Sequence, residues 1–383
     1  MLKNEVNFAP DAVDKRLVNP LPMNRADSWF SISMDLVRFC LAVTVLVCHI
    51  PALQGGFPGW LAHSCVIVFF VISGYFISQS VFTKKMGFRA YAIARLSRLY
   101  SVLAPALVLT GILLTVGTMI NPPFYAALSR GHEPLRLLLS LVFGQETWFL
   151  SASPTSNGPL WSLAFEFWYY ALFAGFFFAR GLRAKLTVSL LAAAVAGPKI
   201  LLLLPTWLAG VACCASARRR VPTRQVSRIS FAIFAALIIC LESAKFEYPF
   251  PEGTFPLFHS GSFVSDWMLS LLVAATIYFL HGAVPSSQAP AGLADVARRA
   301  GNATFAIYLL HYPLQKFIIA TLLPRLPELG HPWMDAICVL PPLLIAGACG
   351  LLFESSRPRI AAALDSLLPG TSDRTDSDKR KAA

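Results

Sequence analysis

The sequence predicts an all-α, polytopic integral membrane protein with about ten transmembrane helices and both termini cytoplasmic. Three observations carry that prediction. Apolar runs of about 18 to 22 residues recur along the whole chain, the length needed to cross a hydrocarbon core. Charged residues make up 14% of the 383, against about a quarter in soluble proteins, and the mean hydropathy is +0.60. The runs are continuous rather than alternating, which suits helices and excludes a transmembrane β-barrel.

The first span covers about 30–50. The residues ahead of it are polar and include Lys3, Lys15, Arg16 and Arg25, so 1–29 reads as a cytoplasmic segment and no secretory signal is expected. Spans at 61–82 and 99–120 follow, then a long connection over 121–159. Within it "LRLLLSLVF" (135–143) is too short to span and reads as a helix lying in or dipping into the outer face. A span at 160–179 comes next. The stretch 186–216 breaks at "GPK" into two short spans, 186–198 and 200–216; reading it as one would invert the topology of everything after it. Spans at 229–245, 264–282, 302–323 and 334–353 complete the transmembrane domain, 30–355. The remainder, 356–383, ends in "TSDRTDSDKRKAA" and has the composition of a disordered cytoplasmic tail. No internal repeat and no linker to a second domain is present.

Basic residues sort by side in this arrangement. Lys84, Lys85, Arg89, Arg95, Arg98, Arg180, Arg183, Lys185, the Arg218–Arg228 group, Arg298, Arg299 and the tail share one side with the N-terminus. The other side holds Arg130, Arg136, Lys199, Lys245 and Arg325. The positive-inside rule makes the first side cytoplasmic. The same bias accounts for the net charge of +12, so a bilayer, not a nucleic acid, is the expected partner. Eight cysteines lie in or beside apolar runs with no C-x-x-C spacing and read as packing residues, neither disulfides nor a metal site. His63, His132, His259, His281 and His331 lack ligand spacing. No zincin, P-loop or dinucleotide fingerprint appears.

Against that background, ionisable residues inside spans stand out, because each is costly unless it faces a polar interior. Arg38 and His49 lie eleven residues apart in span 1. Eleven steps of about 100° return to nearly the same face, with a rise of about 16 Å. Arg38 then sits near the cytoplasmic end and His49 near the outer end of one stripe. The alternative is that Arg38 merely pairs with Asp35 while His49 rests at the interface. Glu166 lies among aromatics in "GPLWSLAFEFWYYALF" (158–173) and needs a partner, catalytic or structural. His311 lies near mid-membrane in "ATFAIYLLHYPL" (303–314), with Tyr308 one turn away. Pro313 lacks the N–H that would bond the Leu309 carbonyl, which suggests a kink facing a polar cavity. Arg95 and Arg98 share a face at the inner mouth of span 3; such a pair clamps phosphates, and charge bias alone also produces it. Ser73 and Gly74 in "FFVISGYF" (69–76) read as small packing residues.

Taken in order, these five stretches resemble the acyltransferase-3 family, the membrane-bound O-acyltransferases of bacterial surface sugars. The resemblance spans roughly 30–355. It rests on Arg38 and His49 as R-x10-H, on 69–76, on Arg95 and Arg98, on the "PLWSLxxExxxY" stretch from Pro159 to Tyr170, and on the "YLLHxP" stretch from Tyr308 to Pro313. Two details depart from the family pattern. Cys65, Val66 and Ile67 stand where Gly-Val-Asp is frequent, and the proline that follows R-x-x-R is displaced to Pro105. The resemblance implies an acyl-CoA donor, usually acetyl-CoA, a saccharide hydroxyl as acceptor, no metal, and a bacterial inner membrane. On that footing the residues themselves suggest His49 as general base, with Arg38, Glu166 and His311 also catalytic. Arg95, Arg98 and Arg38 would bind the acyl-CoA, and Tyr308 and Trp161 the substrate. Glu166 is the residue expected to orient His49. A transporter using the same intramembrane Arg, Glu and His as a path is the reading from another class.

Overall fold

A computed structural model of the chain describes residues 28–50, 59–328 and 330–367. The described residues form twelve α-helices and no β-strand. Nine are long and apolar enough to cross a membrane. They are α1 (Trp29–Cys48), α2 (Gly59–Lys84), α3 (Phe88–Ile120), α6 (Trp161–Phe178), α8 (Pro198–Arg219), α9 (Arg224–Ser243), α10 (Phe263–Ala283), α11 (Ala291–Thr321) and α12 (His331–Leu367). Short helices α4 (Pro122–Leu128), α5 (Glu133–Leu141) and α7 (Leu182–Ala196) complete the set. The chain is an all-α polytopic membrane protein.

Helix α7 settles the parity of the passes. Its 15 residues rise about 22 Å, less than the hydrocarbon thickness. Even so it returns the chain to the far side. At its start the Lys185 ammonium lies over the Phe176 ring at the end of α6, 5.2 Å from its centroid. At its end Trp148, in the connection after α5, donates its backbone N–H to Ala196 O at 3.0 Å and its indole N–H to Ala194 O at 2.9 Å. The break at "GPK" is therefore real: Gly197 has φ +82°, which a side chain would strain, and Pro198 begins α8. The packing of α1 on α11 agrees. Asp35 meets Gly301, the Leu46 carbonyl accepts from Gln315 Nε2 at 2.9 Å, and His49 meets His311. The two helices run parallel, as first and ninth passes must.

Several helices outrun their apolar spans. α3 begins at Phe88 instead of 99, α11 at Ala291 instead of 302, and α12 continues to Leu367 instead of 353. An apolar window marks only the hydrocarbon part, while helical hydrogen bonding continues into polar surroundings. The tail expected to be disordered from 356 is thus helical as far as Leu367, where an Arg89–Asp365 ion pair at 3.1 Å ties α12 to the start of α3. Residues 1–27 and 368–383, assigned to the cytoplasmic segments, lie outside the described residues.

Helix α5 packs beside α3, with Leu137 next to Gly111, and Tyr100 donates to the Leu141 carbonyl at 3.0 Å. Since Tyr100 is twenty residues before the outer end of α3, the 135–143 segment dips into the bundle. In lipid, helix association cannot rely on expelling water, so close backbone approach matters. Gly74 and Gly210 supply it between α2 and α8. A Cβ on Gly74 would fall 2.0 Å from Trp207 O, and one on Gly210 would fall 1.9 Å from Val71 O.

Candidate active site

α1, α2, α3, α6 and α11 enclose a cavity of about 270 Å³. Arg38, Ser73, Arg95, Arg98, Glu166, Tyr170 and Tyr308 contribute its polar lining, and Phe69, Phe70, Phe76 and Leu99 much of the rest. The three arginines come from α1 and α3, whose inner portions converge. Arg38 reaches Asp35 Oδ1 at 3.6 Å, a loose pair that leaves guanidinium donors over. Arg95 lies 5.9 Å from the Tyr91 ring centroid, and its buried Nε has no hydrogen-bond partner among the described residues. Three guanidiniums face Glu166 and Asp35. The excess positive charge in a largely enclosed space is costly unless an anion completes it.

Glu166 Oε1 accepts from Ser73 Oγ at 2.7 Å and from the Tyr170 hydroxyl, and Trp207 Nε1 donates to Ser73 Oγ at 3.3 Å. Ser73, expected to be only a packing residue, is therefore part of the cavity's polar wall. Tyr170 joins it because i and i+4 share a helix face, a relation already present in the quoted stretch. Farther along α11, the Tyr308 hydroxyl donates to Pro159 O at 2.9 Å and lies 2.8 Å from Ser162 Oγ.

Beyond Tyr308, outside the cavity lining, stand two imidazoles. His311 Nδ1 is 3.0 Å from Ile307 O, and His49 Nδ1 is 2.7 Å from Val45 O. A carbonyl can only accept, so both rings carry their proton on Nδ1. His311 Nε2 lies 3.3 Å from His49 Nδ1 and is left as the acceptor of that N–H. The arrangement leaves His49 Nε2 as an unprotonated lone pair on a half-buried residue, while His311 is fully buried. Glu166 does not orient His49, contrary to expectation. It is bound to Ser73 and Tyr170 on the cavity wall, and Val45 O with His311 fixes the ring instead.

Trp161, expected to bind substrate, is also placed differently. It is 6% exposed and does not line the cavity. His259 stacks on its ring at 4.2 Å and 9°, and the His63 ring lies at 5.8 Å and 14°. With an imidazole stacked in contact, its ring is not open to ligand here.

Asn157 was not singled out from the sequence. It is fully buried, and its Nδ2 donates to Leu309 O at 3.0 Å and to Thr110 Oγ1 at 3.1 Å. Leu309 O is the carbonyl that Pro313 frees. A buried carbonyl without a partner demands a donor, so one was owed from somewhere; only the fold identifies Asn157 as its source. No group of three or more His, Cys, Asp or Glu side chains suited to a metal occurs among the described residues.

The described residues thus form a multi-pass helical bundle with an arginine-lined cavity whose Tyr308 end adjoins a histidine pair. The family model described as "Acyltransferase domain" matches residues 31–352, and the chain belongs to this acyltransferase-3 family. It is also 33% identical over 154 residues to an O-acetyl transferase of Shigella phage Sf6, a match covering 36% of this chain and 43% of that relative. The chain thus spans less than half the length of the curated relative it matches. No solved structure matches it.

Proposed function

We propose that the protein is an integral-membrane O-acyltransferase of the bacterial inner membrane. It moves an acyl group, acetyl by the family's habit, from cytosolic acyl-CoA to a hydroxyl of a cell-surface or lipid-linked saccharide. The observation that supports this reading is the convergence of Arg38, Arg95 and Arg98 on one cavity that also holds Tyr308, whose ring lies 6.1 Å from that of His311, the neighbour of His49.

In this reading the guanidiniums bind CoA phosphates, with Arg38 also within the cavity to meet a phosphate or a pantetheine carbonyl. The Phe-lined walls suit the aliphatic arm, and Glu166, held by Ser73 and Tyr170, balances Arg38. His49 Nε2 takes the proton of the acceptor hydroxyl as its oxygen attacks the thioester carbonyl. The C–S bond then breaks, and the proton passes from His49 to the leaving thiolate. His311 keeps His49 in the tautomer this requires. Tyr308, between cavity and histidines, would donate to the thioester oxygen only by releasing Pro159 O, to which its one proton goes.

His49→Ala should reduce thiol release from acetyl-CoA in membranes to background while the protein inserts at normal levels. Normal release in that variant would remove the base assignment. Replacing Arg95 and Arg98 together by alanine should raise the KM for acyl-CoA about tenfold or more; a change confined to acceptor KM would reject the phosphate role.

A further inference from the structure

The connection between α9 and α10 folds over the outer ends of α2 and α10 and leaves a second, smaller pocket, of about 40 Å³. Trp60, His63, Glu242, Lys245, Glu252 and Asp266 supply the groups that matter in it. His63 is 6% exposed, and its Nε2 is 3.1 Å from Asp266 Oδ1. Its Nδ1 is 3.5 Å from Glu252 Oε1, a long ion-pair distance, and has no geometrically formed hydrogen bond among the described residues. Glu242 Oε2 is likewise buried without one. Glu252 Oε1 also lies 3.2 Å from His259 Nδ1, and His259 stacks on Trp161. Burial opposes the charge on Glu252, but His63 and His259 outweigh it and hold the carboxyl well below the usual carboxylate range.

Here a buried carboxylate oxygen has no hydrogen-bond partner and a buried imidazole nitrogen has only a long contact to Glu252, in one pocket beside an indole. Orphaned buried polar atoms call for a ligand that donates and accepts. A bare cation does not fit, because no metal-ligating trio exists among the described residues. Hydroxyl groups do fit, as each both donates and accepts. At about 10–15 Å³ per water-sized group, the pocket admits about three, the diol edge of a sugar instead of a whole ring. Trp60 offers an apolar surface for the ring's C–H face.

We propose that this pocket is a saccharide subsite, holding a diol edge of a pyranose of the acceptor against Glu242, Glu252 and Trp60. The proposal rests on the acyltransferase reading only in naming the sugar as acceptor. The pocket stands next to the reaction's outer end: His63 and His259 flank Trp161, and its neighbour Ser162 bonds Tyr308 in the cavity wall.

Saturation-transfer NMR on the detergent-solubilised full chain, with methyl α-D-glucopyranoside and methyl α-D-mannopyranoside as probes, tests it. Transfer to at least one probe is expected, falling fivefold or more in Glu242→Gln and in Trp60→Ala. Both variants should keep the wild-type size-exclusion profile and thermal midpoint in detergent, which shows that they are folded. Absence of transfer to either probe, transfer unchanged in both variants, or transfer that requires added Ca²⁺ would overturn the subsite. If the wild type binds pyranoside through these residues yet releases no thiol, the subsite stands and the acyltransferase reading falls; fold is then judged by size-exclusion profile.

Discussion

Asn157 offers the sharpest test of how the site is held. Asn157→Ala removes the donor 3.0 Å from Leu309 O and the one 3.1 Å from Thr110 Oγ1, at a position with no solvent exposure. Thr110 can turn its hydroxyl elsewhere. The Leu309 carbonyl cannot, because Pro313 has no N–H to return to it. Leaving a buried carbonyl unsatisfied costs about 1–3 kcal/mol. The expected loss is therefore about 2 kcal/mol of stability. Because Leu309 is two residues before His311, a fall of about tenfold in acyl transfer should accompany it, equivalent to about 1.4 kcal/mol. The specific claim is that Asn157 and Pro313 are coupled. Pro313→Ala restores a backbone N–H to Leu309 O, so Asn157→Ala should cost much less in that background. A double-mutant cycle, read by thermal unfolding in detergent, should give about 1–2 kcal/mol of coupling. Additivity within about 0.5 kcal/mol would refute the reasoning, since the carbonyl would then have no need of the asparagine.

Two further outcomes follow from the packing. Lys199 and Glu146 form an ion pair at 2.7 Å with neither side chain exposed, so Lys199→Met should destabilise by about 3–5 kcal/mol, and adding Glu146→Leu should recover most of it; equal instability of single and double variants in a thermal shift would contradict this. Gly74→Val should fail to yield monodisperse protein because its first side-chain carbon already meets Trp207 O at 2.0 Å, whereas Ala at Gly111, 3.7 Å from the Leu137 side chain, should be tolerated; normal yield of the valine variant would show that the α2–α8 crossing is not as close as described.

The bundle was largely legible because spanning lipid imposes a length and a composition that leave a mark on single sequences. The break at 197–199 shows the mechanism: Gly and Pro together report a turn even inside apolar residues. What hydropathy could not reach was everything beyond the hydrocarbon. The inner ends of α3, α11 and α12 are helical for reasons of hydrogen bonding and tertiary contact, such as Arg89 with Asp365, which carry no apolar signature. The 121–159 connection was readable as non-spanning, but its anchoring by Tyr100, Trp148 and Asn157 is a matter of contacts distant in sequence.

The candidate site divides along the same line. Charges in spans announce themselves by their cost, so Arg38, Arg95, Arg98 and Glu166 were visible one by one, and the structure brings all four to one cavity. Their partners were not visible, because a serine or tyrosine in a span is cheap and unremarked. Glu166 was expected at His49 on the ground that a buried carboxylate needs a partner and a base needs an orienter. Both needs are real, and they are met separately: Ser73 and Tyr170 satisfy the carboxylate, and a backbone carbonyl with a second imidazole fixes the His49 ring. The helix geometry explains the separation. In its rotamer here the His49 ring reaches the carbonyl four residues earlier, so Val45 O takes the place that a distant carboxylate would otherwise fill. The carboxylate is thereby free to stand among guanidiniums, where a neutral partner in its place would leave Arg38 with Asp35 alone as its counter-charge.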